Sequence, residues 1–197
     1  MTHAMKIVSD SFKHGRRIAA EFAMGTPDGF GGNRNPHLRW SDAPAGTRSF
    51  ALLCIDPDAP TDGALVADEA TPIPVEHPRG DFVHWVMVDV PADVRELAAG
   101  SCSDGVIARG KTSPGGPAGA RHGLNDYTGW FAGDARMGGD YLGYDGPYPP
   151  GHDLRVHRAC FRVFALDIER LALPARLAAA DVCRAMQSRV GAGLVIF

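Results

Sequence analysis

Apolar residues in this chain run continuously, without alternation, over Ser49–Ile55, Phe82–Val90 and Phe161–Leu166, and a shorter run closes it at Leu194–Phe197. Runs of this length bounded by Gly, Pro and Asp are the pattern of strands buried on both faces. One helix is predicted. After Pro174, a good first-turn residue, Ala178, Val182, Ala185, Met186 and Val190 recur at helical spacing until Gly191 stops them. The alternation of strand and helix that builds a parallel doubly wound sheet is missing, so the pattern predicts a mainly β domain with a β-sandwich or Greek-key core.

Two long stretches, 61–80 and 100–151, lack such patterning. The second is rich in Gly and Pro but carries Trp130, Phe131, Tyr141, Tyr144 and Tyr148. Aromatics in a long loop argue that it packs back on the body, and an ordered loop walling a pocket is predicted. Neither stretch is repetitive or of one charge sign, so 1–197 is read as a single domain.

Composition narrows the partners. With 20 basic and 23 acidic residues the formal net charge is -3, and no basic stripe is present to displace the counterions of a nucleic acid. Nucleic acid is disfavoured. The first residues have no apolar core of a leader and nowhere do about 18 apolar residues run together, so no membrane span and a cytoplasmic location are expected. Cys54, Cys102, Cys160 and Cys183 show no metal or redox spacing, so they are read as reduced structural thiols, with no cofactor.

Three fragments carry the candidate chemistry: Asp56-Pro57-Asp58-Ala59-Pro60, His84-Trp85, and Gly146-Pro147-Tyr148-Pro149-Pro150 followed by His157-Arg158. They bring two carboxylates, two imidazoles and a guanidinium together with rigid Pro and Gly walls. Asp56 and Asp58 alternate with prolines in what reads as a turn past a strand, where side chains have little entropy left to lose on binding. Arg158 is expected to pair with a carboxylate such as Asp58, as scaffold. His84 and His157 are then the adaptable groups, able to donate to a phosphate or carboxylate when protonated.

One further motif matches by letter. Gly105-Val106-Ile107-Ala108-Arg109-Gly110-Lys111-Thr112 satisfies the phosphate-cradling G-x-x-x-x-G-K-[ST] pattern. Such a loop needs a strand before it and a helix after it, and Ser113-Pro114-Gly115-Gly116-Pro117 does not begin a helix.

The chain resembles the phosphatidylethanolamine-binding protein family in its bacterial Raf-kinase-inhibitor-like branch. The resemblance rests on Pro36-His37-Leu38-Arg39-Trp40, Pro44 to Ala51, Asp56 to Pro60, His84-Trp85-Val86, Gly143 to Pro147, Pro149-Pro150, His157-Arg158 and Ala165-Leu166-Asp167. It implies a β-sandwich of two antiparallel sheets with peripheral helices, and a small surface pocket for phosphate-like and carboxylate-like anions. By motif the pocket residues are Asp56, His84, Pro149, Pro150 and His157, supported by Asp58, Gly146, Pro147, Tyr148 and Arg158. The chain departs from the family in having Ala159 where a tyrosine follows the His-Arg pair, and Asn35 where a serine precedes Pro36. A homodimer is compatible with the resemblance.

The leading functional reading is a non-enzymatic binding module for a phosphate ester, headgroup or carboxylate, with Asp56 orienting an imidazole, because no nucleophile with its base is evident. A rival reading is a hydrolase in which Asp56, Asp58, His84 and His157 bind a divalent metal that activates water. A third builds a nucleotide-dependent enzyme on the Gly105 loop.

Overall fold

The computed structural model describes residues 5–187. In chain order the strands are β1 (Lys6–Val8), β2 (Gly25–Thr26), β3 (Gly29–Phe30), β4 (Leu38–Ser41), β5 (Ser49–Pro60), β6 (Arg79–Pro91), β7 (Glu96–Leu97), β8 (Arg121–His122) and β9 (Cys160–Leu166). Three short helices accompany them: α1 (Gly63–Ala67), α2 (Tyr127–Trp130) and α3 (Ala179–Met186). A central sheet runs β8-β6-β5-β9, a second runs β1-β4-β7, and β2 and β3 form a small ribbon, all paired antiparallel.

The apolar runs are continuous because the central sheet is covered on both sides. On one face Phe50, Leu52, Cys54, Trp85, Met87 and Val163 pack with Leu38, Trp40 and Leu97 of the second sheet. On the other, Ala51, Leu53, Val86, Val88 and Phe164 meet Leu171, Leu177 and, from α3, Val182 and Met186. Burying one large apolar side chain fully is worth about 1.5–3 kcal/mol, so these two clusters hold the sandwich together. The predicted sandwich is the observed architecture.

The predicted helix is present but begins later than expected, at Ala179 and not near Pro174. Its entry is held by the Asp181 carboxylate, which accepts from the Ala178 N–H at 3.0 Å, one way of satisfying an otherwise orphaned donor. Val190, Gly191 and the Leu194–Phe197 strand prediction lie outside the described residues.

The long stretch from 100 to 151 is ordered, as its aromatics suggested. Tyr127, Tyr141 and Tyr144 are buried, and their hydroxyls donate to the carbonyls of Gly146, Met137 and Phe22. Trp130 and Tyr148 depart from that pattern and remain about half exposed. The Tyr148 ring lies flat over Gly25, where a Cβ would come within 2.0 Å of it; only glycine admits that approach.

Candidate functional site

Where β5 meets β6 the register slips three times, and two of the slips fall on candidate residues. Cys54 pairs with Trp85 and Ile55 with Val83, which leaves His84 as the extra residue of a bulge. Asp56 then pairs with Phe82 and Ala59 with Gly80, so Pro57 and Asp58 oppose the single residue Asp81. A bulge bends its strand and re-aims a side chain. The expectation of a plain turn at Asp56–Pro60 is thereby corrected: β5 continues to Pro60, and the local feature is the bulge, closed by the Asp58 N–H donating to Asp56 Oδ1 at 2.8 Å.

His157 stands between two carboxylates. Its Nδ1 is 2.5 Å from Asp56 Oδ2 and its Nε2 is 3.0 Å from Asp153 Oδ2. Both ring nitrogens donate in this arrangement, which makes the ring an imidazolium. Burial pushes its pKa down, but the hydrogen bonds and charges of Asp56 and Asp153 outweigh that and hold it above the ordinary histidine value. Asp153 is in turn clamped by Arg79, at 2.5 and 3.1 Å. Burial alone raises its pKa, yet Arg79, the Arg155 N–H and His157 overcome burial and bring it down to about 2. The remaining Arg79 donors go to the carbonyls of Asp58, Pro74 and His77. His157 therefore has its protonated form favoured and no free ring nitrogen, in place of the adaptable donor expected from sequence.

Asp58 is buried and takes two guanidinium groups: Arg158 at 2.7 and 3.0 Å, and Arg155 at 2.8 Å. Their hydrogen bonds exceed the effect of burial, and the Asp58 carboxyl sits below its usual range. The expected Arg158–Asp58 pair is thus formed, but its burial is one-sided, with the Arg158 side chain 63% exposed against 1% for Asp58. Removing Asp58 abolishes all three of its arginine hydrogen bonds, whereas removing the largely exposed Arg158 leaves the buried carboxylate still paired with Arg155. Asp58→Ala should lower the melting temperature more than Arg158→Ala, with Arg155 still in place in the latter; equal losses in thermal melts would show that Arg158 carries the pair alone.

His84 is buried between Phe82 and Tyr127, at ring-centroid distances of 5.1 and 5.8 Å. Its Nδ1 lies 2.9 Å from the Asp145 carbonyl oxygen, and the Asp145 N–H donates back to the His84 carbonyl at 3.0 Å. Burial dominates its titration and lowers its pKa, against the opposing charges of Asp56 and Asp145. The Asp145 side chain is itself enclosed, accepting from Asn33 Nδ2 at 2.7 Å, Lys111 Nζ at 2.6 Å and Asn125 Nδ2 at 2.8 Å. This places Lys111 in the scaffold. The Gly105–Thr112 stretch has neither a strand before it nor a helix after it, and its lysine neutralises a buried aspartate.

The third fragment closes the site. The Gly146 N–H donates to Asn33 Oδ1 at 2.8 Å, and the Pro147 carbonyl accepts from the Met24 and Gly25 N–H groups. Tyr148 and Pro149 are exposed and Pro150 partly so. The Pro150 carbonyl accepts from the Asp153 N–H at 3.0 Å, which begins the turn that carries Asp153 to His157. Arg79, Asp153, Arg155, Asn33 and Asn125 were not singled out from sequence, and Lys111 was singled out only as part of the nucleotide-loop pattern. Among the described residues no group of three or more His, Cys, Asp and Glu side chains is placed to hold a metal ion. The four residues of the hydrolase reading are engaged otherwise: Asp58 by arginines, Asp56 and His157 by one another, and His84 Nδ1 by a carbonyl.

Comparison with known proteins gives the family of the chain. The family model described as phosphatidylethanolamine-binding protein matches residues 8–196. The UPF0098 protein of Aquifex aeolicus (strain VF5) is 32% identical over 94% of this chain and 82% of its own length. The UPF0098 protein YbhB of Escherichia coli (strain K12) is 34% identical over 85% of this chain and 81% of its own. The crystal structure of Escherichia coli YbcL, described as a new member of the mammalian PEBP family, superposes with a TM-score of 0.70 at 27% identity, covering 96% of this chain and 93% of that one. With a two-sheet sandwich that carries His84 and Asp56 on adjacent bulged strands, the chain belongs to the phosphatidylethanolamine-binding protein family, in its bacterial YbhB/YbcL branch.

Proposed function

We propose that this protein is a non-enzymatic binder of a small anion, a phosphate ester, phosphorylated headgroup or carboxylate, received by Asp56, His84, Pro149, Pro150 and His157. The observation that carries this reading is the charge of the network around those residues. Arg79, Arg155, Arg158 and the His157 imidazolium are four cations against the three carboxylates of Asp56, Asp58 and Asp153. One positive charge is left over, held by groups whose hydrogen bonds are already made, so little reorganisation opposes an incoming anion. The description of the family, phosphatidylethanolamine-binding, points to a phosphate-bearing headgroup.

Both nitrogens of His157 are held by carboxylates, and no hydroxyl or thiol among the described residues hydrogen-bonds to His84 or His157. A cytoplasmic location and a homodimer belong to the same reading, and light scattering on the purified protein decides the second. Among the described residues no helix is long and apolar enough to cross a membrane.

Titration calorimetry with methyl phosphate tests the reading. His84→Ala should weaken binding about ten- to a hundredfold, the range of about 1.5–3 kcal/mol for one hydrogen bond to a charged group, with the fold retained by circular dichroism. Equal affinity in wild type and variant would place the ligand elsewhere.

A further inference from the structure

We propose that the pocket, on its reading as an anion site, selects an anion that brings its own proton, a phosphate monoester in its monoanionic form, over a fully ionised anion of the same shape. A carbonyl oxygen only accepts, so the 2.9 Å contact between His84 Nδ1 and the Asp145 carbonyl fixes the ring proton on Nδ1. The neutral ring then presents a lone pair at Nε2, which is not among the fully enclosed unpaired atoms, and the ring's one recorded hydrogen bond is the Nδ1 contact to Asp145.

That tautomer is held from behind. Asp145 pairs with the His84 backbone through its own N–H, and its carboxylate is fixed by Asn33, Lys111 and Asn125. A shift of its carbonyl would disturb a buried ion pair and two amides together. The charged and titratable groups facing the ring are Asp56 on β5, Asp145 and Tyr127 from the 100–151 stretch, and His157 from the segment before β9. Burial, the largest influence, keeps the ring neutral near pH 7. A neutral Nε2 repels a bare anionic oxygen and accepts from a P–OH. Phosphate monoesters, with a second pKa of about 6, keep that hydroxyl in about half their molecules at pH 6 and in a minority at pH 7, and sulfate esters carry none. His157 supplies the attraction common to both anions, and His84 tells them apart.

Calorimetry at pH 6.0 with methyl phosphate, about half of it singly charged and proton-bearing there, and methyl sulfate, singly charged without a proton, makes the distinction. Methyl phosphate should bind at least tenfold more tightly, and its affinity should fall as the pH rises from 6 to 8 and the proton-bearing form is depleted. His84→Gln, whose amide can turn an N–H toward the anion, should narrow the gap between the two esters. Equal affinities in the wild type overturn the selection while leaving the anion pocket standing, and binding of neither ester overturns both. A second readout needs no ligand. In a long-range 15N–1H spectrum at pH 7 the His84 ring should be neutral with its proton on Nδ1, and a proton on Nε2 would overturn the proposal whatever binds.

Discussion

Asp145→Ala is expected to cost about 3–5 kcal/mol of folding stability, the range for breaking a buried ion pair from one side. Asp145 is fully buried and Lys111 nearly so, with 10% of its side chain exposed. Removing the carboxylate leaves the ammonium, the Asn33 amide and the Asn125 amide without their acceptor. Neither amide is idle elsewhere: Asn33 also reaches the Gly105 carbonyl and Asn125 the Gly143 carbonyl. Four distant parts of the chain therefore lose their common point at once. Because the cost comes from an orphaned charge, removing the charge as well should return part of it. The double variant Asp145→Asn with Lys111→Met should be more stable than the sum of its single changes predicts, with a coupling of about 1–3 kcal/mol in urea unfolding. Single variants within about 1 kcal/mol of wild type would mean that Lys111 escapes to water and that the pair does not hold His84 in place.

What could be read from the sequence divides along the range of the interaction. The cores of β5, β6 and β9 were legible because both faces of the central sheet are covered, which turns each strand into an uninterrupted apolar run. Their bulges were not, since a slip in register is a property of two strands and leaves no mark in either one. That is why Asp56–Pro60 read as a turn and His84 as a mid-strand residue. Asp56 and His157 were legible as candidates through the family pattern, although 101 positions separate them. Asp153 and Arg79 were not: an aspartate in a Gly-His-Asp loop and an arginine after a proline look like surface polar residues until the fold brings them together. Lys111 is the instructive case. Its Gly-rich surroundings imitate a nucleotide loop, and Gly110 serves close backbone packing instead, since a Cβ there would come within 2.2 Å of the Asp140 carbonyl oxygen.

Folding stability should peak near pH 6.5 and fall on both sides, with different residues answerable for each arm. On the alkaline side the group is His157. Its folded pKa is raised by Asp56 and Asp153 despite its burial, so its contribution is complete below the unfolded value of about 6.5 and is lost as the pH climbs through the folded one. Measurement should stop near pH 8, before the thiols of the unfolded chain ionise and the buried Cys54 and Cys102, both raised by burial, begin to contribute with the same sign. On the acid side the first losses come from His84 and His122. Burial lowers both, so below pH 6.5 the unfolded chain binds protons that the folded one refuses. Below about pH 4 the carboxylates take over. Asp153, at about 2 in the folded protein, is stabilising above its unfolded pKa of about 3.9, and that contribution of about 2–3 kcal/mol disappears as the pH falls through 2. Asp58 acts in the same direction, while Asp126, raised by burial, opposes them. Urea midpoints from pH 2 to 8 on the wild type, His157→Gln and Asp153→Asn separate the arms. His157→Gln should flatten the alkaline arm, and Asp153→Asn should flatten the steepest part of the acid arm. An alkaline arm unchanged in His157→Gln would show that the ring is not held as an imidazolium, and the surplus positive charge proposed to attract the anion would go with it.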